Sequence, residues 1–553
     1  MYLPVLLPGL LAVILVGAAF GITAGRSLSL ELQAQPPVWV VNAIPAALSE
    51  LYFGHRKRYT VLTSVRDRYV DSLPERNPSA KAVNLSMRKV REINPSRVGT
   101  AYILMGPDDK GIVDLVELSF LLFGYAAENV TLLYFVILAA SCVLYVAAFW
   151  RSPSQLLLVA AFLAMLYLAL PMVAYHGQLR SVLALRTLPV LSMVACLHCL
   201  VFMASSLRGR VSAWQIGLVA LQIALLTFTV HLRATTLWQV LTVIGFGIVV
   251  LLAARFRLFG VTTVNWRSTV AAVGSTVGLV VAGYVGIQLY QTYGLPEEYR
   301  RGEEIATRVF WHNIFSGLAY HPDFAERYQL RIDDSSIFAA TRDYLAETGR
   351  LDLWRDMGGE EPDFSGLKFT KYDPVVREML LARCTIHVGE CAEAMLYYKP
   401  VALAGNLAWL YGLRSLPPDL DIVVSRTYGD PQVKSQTIAA TEQMDRAGQR
   451  AYLWTPIVLL VILPFALLLT REPRWSIWAS AAAVVALTAG SLIPTVIGYP
   501  VAHTILEAAL TFGMLLYFGL CLAVMAWLPA LAARGLPRQR ESETSSPLPT
   551  AAR

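Results

Sequence analysis

Three aspartates and a lysine stand close together in PDDKGIVD, residues 107–114. Asp108 and Asp109 offer the hard oxygens that hold a divalent cation such as Mg2+ or Mn2+, or the basicity to take a proton from a hydroxyl. Lys110 can neutralise a phosphate, and Asp114 follows on what reads as a helix. The same residues also suit a solvated turn that caps that helix. A second cluster is WHNIFSGLAYHPDF, 311–324. Its His312 and His321 can move a proton, orient a hydroxyl or bind a phosphate, and Asp323 can hold either ring or a cation. Local hydrogen bonding is the alternative, since a buried ring needs only a satisfied partner. Near the end, SLIPTVIGYPVAHTILEAAL, 491–510, carries His503 and Glu507 four residues apart, hence on one helical face. Such a pair suits a substrate contact or closure of a helix bundle.

These groups must be positioned by elements of an unusual kind. Of the 553 residues, 56% are apolar and 15% are charged, against about 25% charged in soluble domains. Ten segments are long and apolar enough to span a bilayer, each needing roughly 20 residues for about 30 Å of hydrocarbon. They fall at 3–23, 127–149, 154–175, 188–206, 212–230, 237–254, 268–290, 452–470, 476–494 and 501–528. The first lacks a basic n-region and reads as a retained helix. The expected fold is an all-α polytopic membrane protein with two large exoplasmic segments, 24–126 and 291–451, and a disordered cytoplasmic tail, 529–553.

Charge sets the expected orientation. With both termini cytoplasmic, the inner connections and tail carry Arg151, Arg208, Arg210, Arg255, Arg257, Arg267, Arg471, Arg474, Arg534, Arg538 and Arg540, and the outer ones only Arg180, Arg186 and Arg233. That is the positive-inside pattern. It accounts for most of the informative arginines behind the net charge of +7, and no zinc-finger spacing or RNA-binding motif is present, so nucleic acid is set aside. The lipid bilayer is the one partner composition requires.

Cys384 and Cys391 lie together in the second outer segment and suit either a disulfide or two small apolar side chains. CLHC, 196–199, sits within one apolar run without a second ligand cluster, so core packing is expected there. The stretch 391–412 is nearly apolar enough to cross, but Glu393, Lys399 and Pro400 favour a surface-lying or re-entrant helix.

The segment PDDKGIVDLVELSFLLFGYAAENVTLLYFVILAASCVLYVAAFW, 107–150, resembles the outer amphipathic helices of GT-C class glycosyltransferases leading through a short LFG element into a span. IPTVIGYPVAH, 493–503, is similar to the entry of a late helix in some members, and the remainder agrees by topology. The resemblance implies transfer of a sugar from a polyprenyl-phosphate carrier to a glycan, lipid or protein acceptor on the exoplasmic side, in a bacterial inner membrane. It implies Asp108, Asp109 and Lys110 at the carrier phosphate or acceptor. Arg180 or Arg186 are further candidates for the leaving phosphate, and Asp109 or His312 for the base. The chain departs from the class in two places: its first carboxylate after the first span is Glu31, and His503 stands near where an arginine is common. Two other functions fit the same layout. One is a transporter or flippase for a lipid or envelope precursor, and the other a non-enzymatic assembly or scaffold protein bound to envelope-assembly partners.

Overall fold

The structure is a computed structural model describing residues 38–73, 79–104, 110–150, 152–176, 187–207, 211–257, 265–301, 309–332, 334–359, 367–410, 474–498 and 501–535, with Gly17 and Gly21. The expected span 452–470 and, apart from Gly17 and Gly21, the expected span 3–23 lie outside these residues.

The first polar module comprises α1 (Val38–Leu51), β1 (Thr60–Leu62), α2 (Thr63–Asp71), α3 (Ala80–Arg91), β2 (Tyr102–Leu104) and α4 (Gly111–Phe123). Its two strands pair antiparallel, Thr60 opposite Leu104 and Leu62 opposite Tyr102. Ser79 starts α3 by accepting the Ala82 N–H, supplying one of the donors a helix start leaves unpaired. The apolar helix α1 packs along α4.

The bundle follows: α5 (Glu128–Phe149), α6 (Pro153–His176), α7 (Val190–Ser205), α8 (Ala213–Val230), α9 (Leu237–Phe256) and α10 (Trp266–Gly294). Helix α7 has no polar face, and every residue from Val190 to Ala204 is buried. A helix apolar all round must be enclosed. Helices α5, α8, α9 and α10 surround it, together with α17 (Arg474–Ile493) from near the end of the chain. The outer helices are apolar on their exposed sides too, as at Leu241, Ile248 and Leu252 of α9 and Leu279, Val285 and Leu289 of α10. Contiguous apolar surface of this kind is unfavourable in water and suited to lipid.

Five described helices are long and apolar enough to cross a membrane: Glu128–Phe149, Ala213–Val230, Leu237–Phe256, Trp266–Gly294 and Trp475–Gly498. They coincide with five of the expected spans. The segment expected at 188–206 forms the 16-residue α7, about 24 Å at 1.5 Å per residue. The final helix, α18 (Val501–Gly535), runs past residue 528 and so takes in the first residues of the expected tail.

Cross-helix hydrogen bonds sort the helix ends. Gln239 donates to the Pro189 carbonyl (3.0 Å), the Tyr134 hydroxyl to the Thr187 carbonyl (3.0 Å), and His231 Nε2 lies 3.0 Å from the Tyr284 carbonyl oxygen. At the opposite end Thr269 donates to the Ser206 carbonyl (3.0 Å), Gln155 to Ser205 (3.2 Å), and Ser152 bonds Ser476 (2.6 Å). The helices therefore alternate in direction, and Arg255, Arg267 and Arg474 lie at this second end.

The second polar module contains α11 (Trp311–Ser316), a 3-10 turn (Gly317–Tyr320), α12 (Pro322–Arg327), α13 (Asp334–Glu347), α14 (Phe369–Ile386), α15 (Val388–Glu393), a π-helical turn (Ala394–Tyr398) and α16 (Lys399–Leu410). It has its own core of Phe315, Phe324, Ile337, Leu345 and Tyr372. Cys384 and Cys391 are joined in a disulfide, Cα–Cα 5.8 Å, that clasps α14 to α15. The stretch expected as a surface-lying or re-entrant helix becomes α15, the π turn and α16, and α16 packs against α18 and α6 with Ala402, Leu403 and Asn406 buried.

Candidate functional site

At the bundle end that carries the starts of α5, α9 and α18, one guanidinium gathers three carboxylates. Asp114 and Glu117 are three apart on α4 and share its inner face. Glu50 lies on the last turn of α1. The loop after α1 carries Arg58 to them: Nε lies 3.2 Å from Glu50 Oε1, and Nη2 lies 2.9 Å from Asp114 Oδ1 and 2.6 Å from Glu117 Oε2. Tyr59, held at φ 58°, turns its hydroxyl to donate to Asp114 at 3.0 Å, and Gln291 of α10 donates to the other oxygen at 3.0 Å. The Arg58 guanidinium also covers the Tyr290 ring at 4.6 Å.

Three carboxylates against one guanidinium cannot all stay ionised at low cost. Burial and the neighbouring Glu50 push the Glu117 carboxyl up to about 9, against the pull of Arg58. Burial also raises the Asp114 carboxyl, opposed by the hydrogen bond from Gln291 and by Arg58. The cluster thus ties α4 to the end of α1 and to α10.

Helix α4 begins against the bundle itself. A Cβ on Gly111 would lie 2.2 Å from the His231 carbonyl oxygen, so only glycine allows this approach. His231 stacks on Tyr284, centroids 4.6 Å apart and planes at 20°. Arg233 and Trp238 follow along the chain, and the Trp238 indole N–H donates to Glu507, a fully buried carboxylate of α18. Six residues earlier, at the start of α18, the Val501 N–H donates to the Tyr320 hydroxyl (2.9 Å). A belt of contacts therefore runs from Gly111 through His231 and Glu507 to Tyr320.

The residues singled out by sequence fall unevenly on this belt. Asp108, Asp109, Arg180 and Arg186 lie outside the described residues. Lys110 is the residue at which α4 begins, its carbonyl accepting the Val113 N–H at 3.0 Å. Asp114 is at the centre of the carboxylate cluster. His312 is elsewhere: Nδ1 bonds the Tyr372 hydroxyl (2.8 Å), Nε2 lies 3.1 Å from Asp334 Oδ1, and its backbone N–H donates to Asp373 (3.1 Å). None of these partners belongs to α4. His321 caps α12 by accepting the Phe324 N–H (3.3 Å), with Glu393 3.3 Å from its other nitrogen. Asp323 is exposed in the first turn of α12, where a negative charge suits the helix dipole. The His503 side chain is outside the description, and Glu507 takes Trp238 as its partner.

CLHC lies at the middle of α7, where His198 is wedged between Tyr145 and Phe149, centroids 5.4 and 5.0 Å away. No group of three His, Cys, Asp or Glu arranged for a metal occurs among the described residues. Sequence reading missed Arg58, Glu50, Gln291 and Trp238. Arg58 stands in HRKRY, a basic run that looks solvated, and no local signal marks the other three.

Comparison with family models, with curated proteins and with solved structures finds no match for this chain.

Proposed function

We propose that this is a membrane glycosyltransferase that moves a sugar from a polyprenyl-phosphate carrier to an acceptor hydroxyl on the exoplasmic side. The observation that supports it is the seating of α4. The contacts of Arg58 with Asp114 and Glu117 hold this helix across one end of an apolar bundle, and Gly111 abuts the His231 carbonyl. Asp108, Asp109 and Lys110 immediately precede that contact in the chain.

In this reading the acceptor oxygen attacks the anomeric carbon, the bond from that carbon to the phosphate oxygen breaks, and Asp109 takes the acceptor proton. Lys110 and Arg233 stabilise the departing polyprenyl phosphate. His312, with both ring nitrogens engaged in the second module, serves structure, and the base is Asp109. The arginines at the opposite bundle end favour a cytoplasmic location for that end, in keeping with a bacterial inner membrane.

The test is a transfer assay with the purified full chain and a panel of polyprenyl-linked sugars. Asp109→Asn should lower the rate roughly 100-fold or more, as loss of a general base does. Undiminished transfer by that variant would remove the proposed base. No transfer from any donor would favour a second reading, an envelope-assembly protein. The apolar side chains exposed around the disulfide, Ile386 at 70%, Val388 at 66% and Leu396 at 75%, suit a protein interface.

A further inference from the structure

Glu507 is a carboxylate in the interior of an apolar bundle, with no exposed surface. Its described hydrogen bonds are few. Oε2 accepts from the Trp238 indole, whereas Oε1 has no hydrogen-bond partner among the described residues. It forms no ion pair within 4 Å among them either, although Arg233 acts on it electrostatically from the loop ahead of α9. The other ionisable groups described on elements against the first turns of α18 are Lys399 at the head of α16 and Tyr320 in the 3-10 turn; His503 precedes Glu507 by one turn on the same helix.

The surroundings are polar in one direction only. Thr504, Glu507 and Thr511 recur at three and four residues and so share one face of α18. Opposite them lie Ser491 on α17 and Thr495 in the π-helical turn Pro494–Gly498. Thr495 donates to Thr504 (2.8 Å), and Ser491 bonds Thr511 (2.7 Å), so a hydroxyl pair stands one turn to either side of the carboxylate. π-helical turns recur at functional sites because they break regular helix packing. A charged carboxylate with one neutral donor is strongly disfavoured here, and intramembrane acids are retained where they carry ions or protons. The hydroxyls are committed to each other and to backbone carbonyls, which leaves too few oxygens to surround a metal cation.

We propose that Glu507 is a proton-binding site of the membrane interior, reached through the Thr495–Thr504 hydroxyl pair from the bundle end occupied by Tyr320. The step is simple: the carboxylate takes a proton from hydronium, leaving water, and returns it to water. The site does not depend on the transferase reading.

The test uses the full chain in proteoliposomes and dicyclohexylcarbodiimide, an apolar reagent that adds to protonated carboxyls. Peptide mass spectrometry should find the adduct on Glu507 at neutral pH, while exposed Asp334 and Glu393 stay unmodified. Glu507→Gln should abolish the adduct. Trp238→Phe should carry labelling to higher pH, because the donor to the carboxylate is gone. Infrared spectra decide where the reagent fails to reach: the wild type should show a protonated-carboxyl band at neutral pH that Glu507→Gln lacks. Absence of that band, or protection from labelling by sodium at constant pH, would overturn the proposal, the second by assigning the site to a metal cation.

Discussion

Arg58 Nη2 lies 2.6 Å from Glu117 Oε2 and 2.9 Å from Asp114 Oδ1, so a single nitrogen ties the loop after α1 to both acidic positions of α4. The helix that carries the proposed catalytic turn is thereby set by a residue more than fifty positions earlier in the chain.

Removing that nitrogen should be costly. Arg58→Leu leaves Asp114 buried without its cation, and loss of one partner of a buried pair costs about 3–5 kcal/mol. Thermal unfolding in detergent should show a large fall for Arg58→Leu. Adding Asp114→Asn to it should recover part of the loss, and an equal fall in single and double variants would show that the pair carries little.

The same cluster sets a pH dependence. The folded Glu117 carboxyl sits at about 9, above its unfolded value near 4.3, so the folded state binds the extra proton between them. Stability from this group is complete below the lower value and is lost as pH rises towards about 9. Unfolding temperature should fall across that window, and Glu117→Gln should flatten the slope. An unchanged slope in the variant would assign the dependence to another group.

Gly111 has no room for a methyl group. Gly111→Ala would place Cβ 2.2 Å from the His231 carbonyl oxygen, forcing α4 away from the bundle. The expected cost is about 1–3 kcal/mol. Hydrogen exchange should speed up in α4 first, with the bundle core unaffected.

His312→Ala should act on stability. It leaves the buried Tyr372 hydroxyl without its ring partner, for about 1–3 kcal/mol, while the transfer rate per folded molecule stays at the wild-type level. A fall in that rate with unfolding temperature unchanged would return His312 to the chemistry.

The disulfide closes a short loop, with seven positions separating Cys384 from Cys391. Loop entropy gives about 2.5 kcal/mol for a ring of this size. Reduction, or Cys384→Ser with Cys391→Ser, should lower the unfolding temperature of the second module, and a mapped non-reduced peptide should show the bond directly.

Apolar run length alone placed α5, α8, α9, α10 and α17, because a helix that must pack inward and face lipid outward is apolar on every side, and that is visible in any window of about 20 residues. It also set apart 311–324 and 107–114 as polar elements next to spans. The partners of those elements were beyond its reach. Arg58 meets Asp114 at a separation of 56 residues, Gln291 meets it at 177, and Trp238 meets Glu507 at 269. Nothing periodic links such positions, so a basic run reads as solvated until the fold buries one of its members. His312 shows the converse: its residue type invites chemistry, and only the packing of α11 against α13 and α14 decides that Tyr372 and Asp334 occupy both of its nitrogens. Local sequence determines which segments must leave water, because transfer free energy adds up along a helix, whereas ion pairs and hydrogen bonds depend on distances that only the tertiary structure brings about.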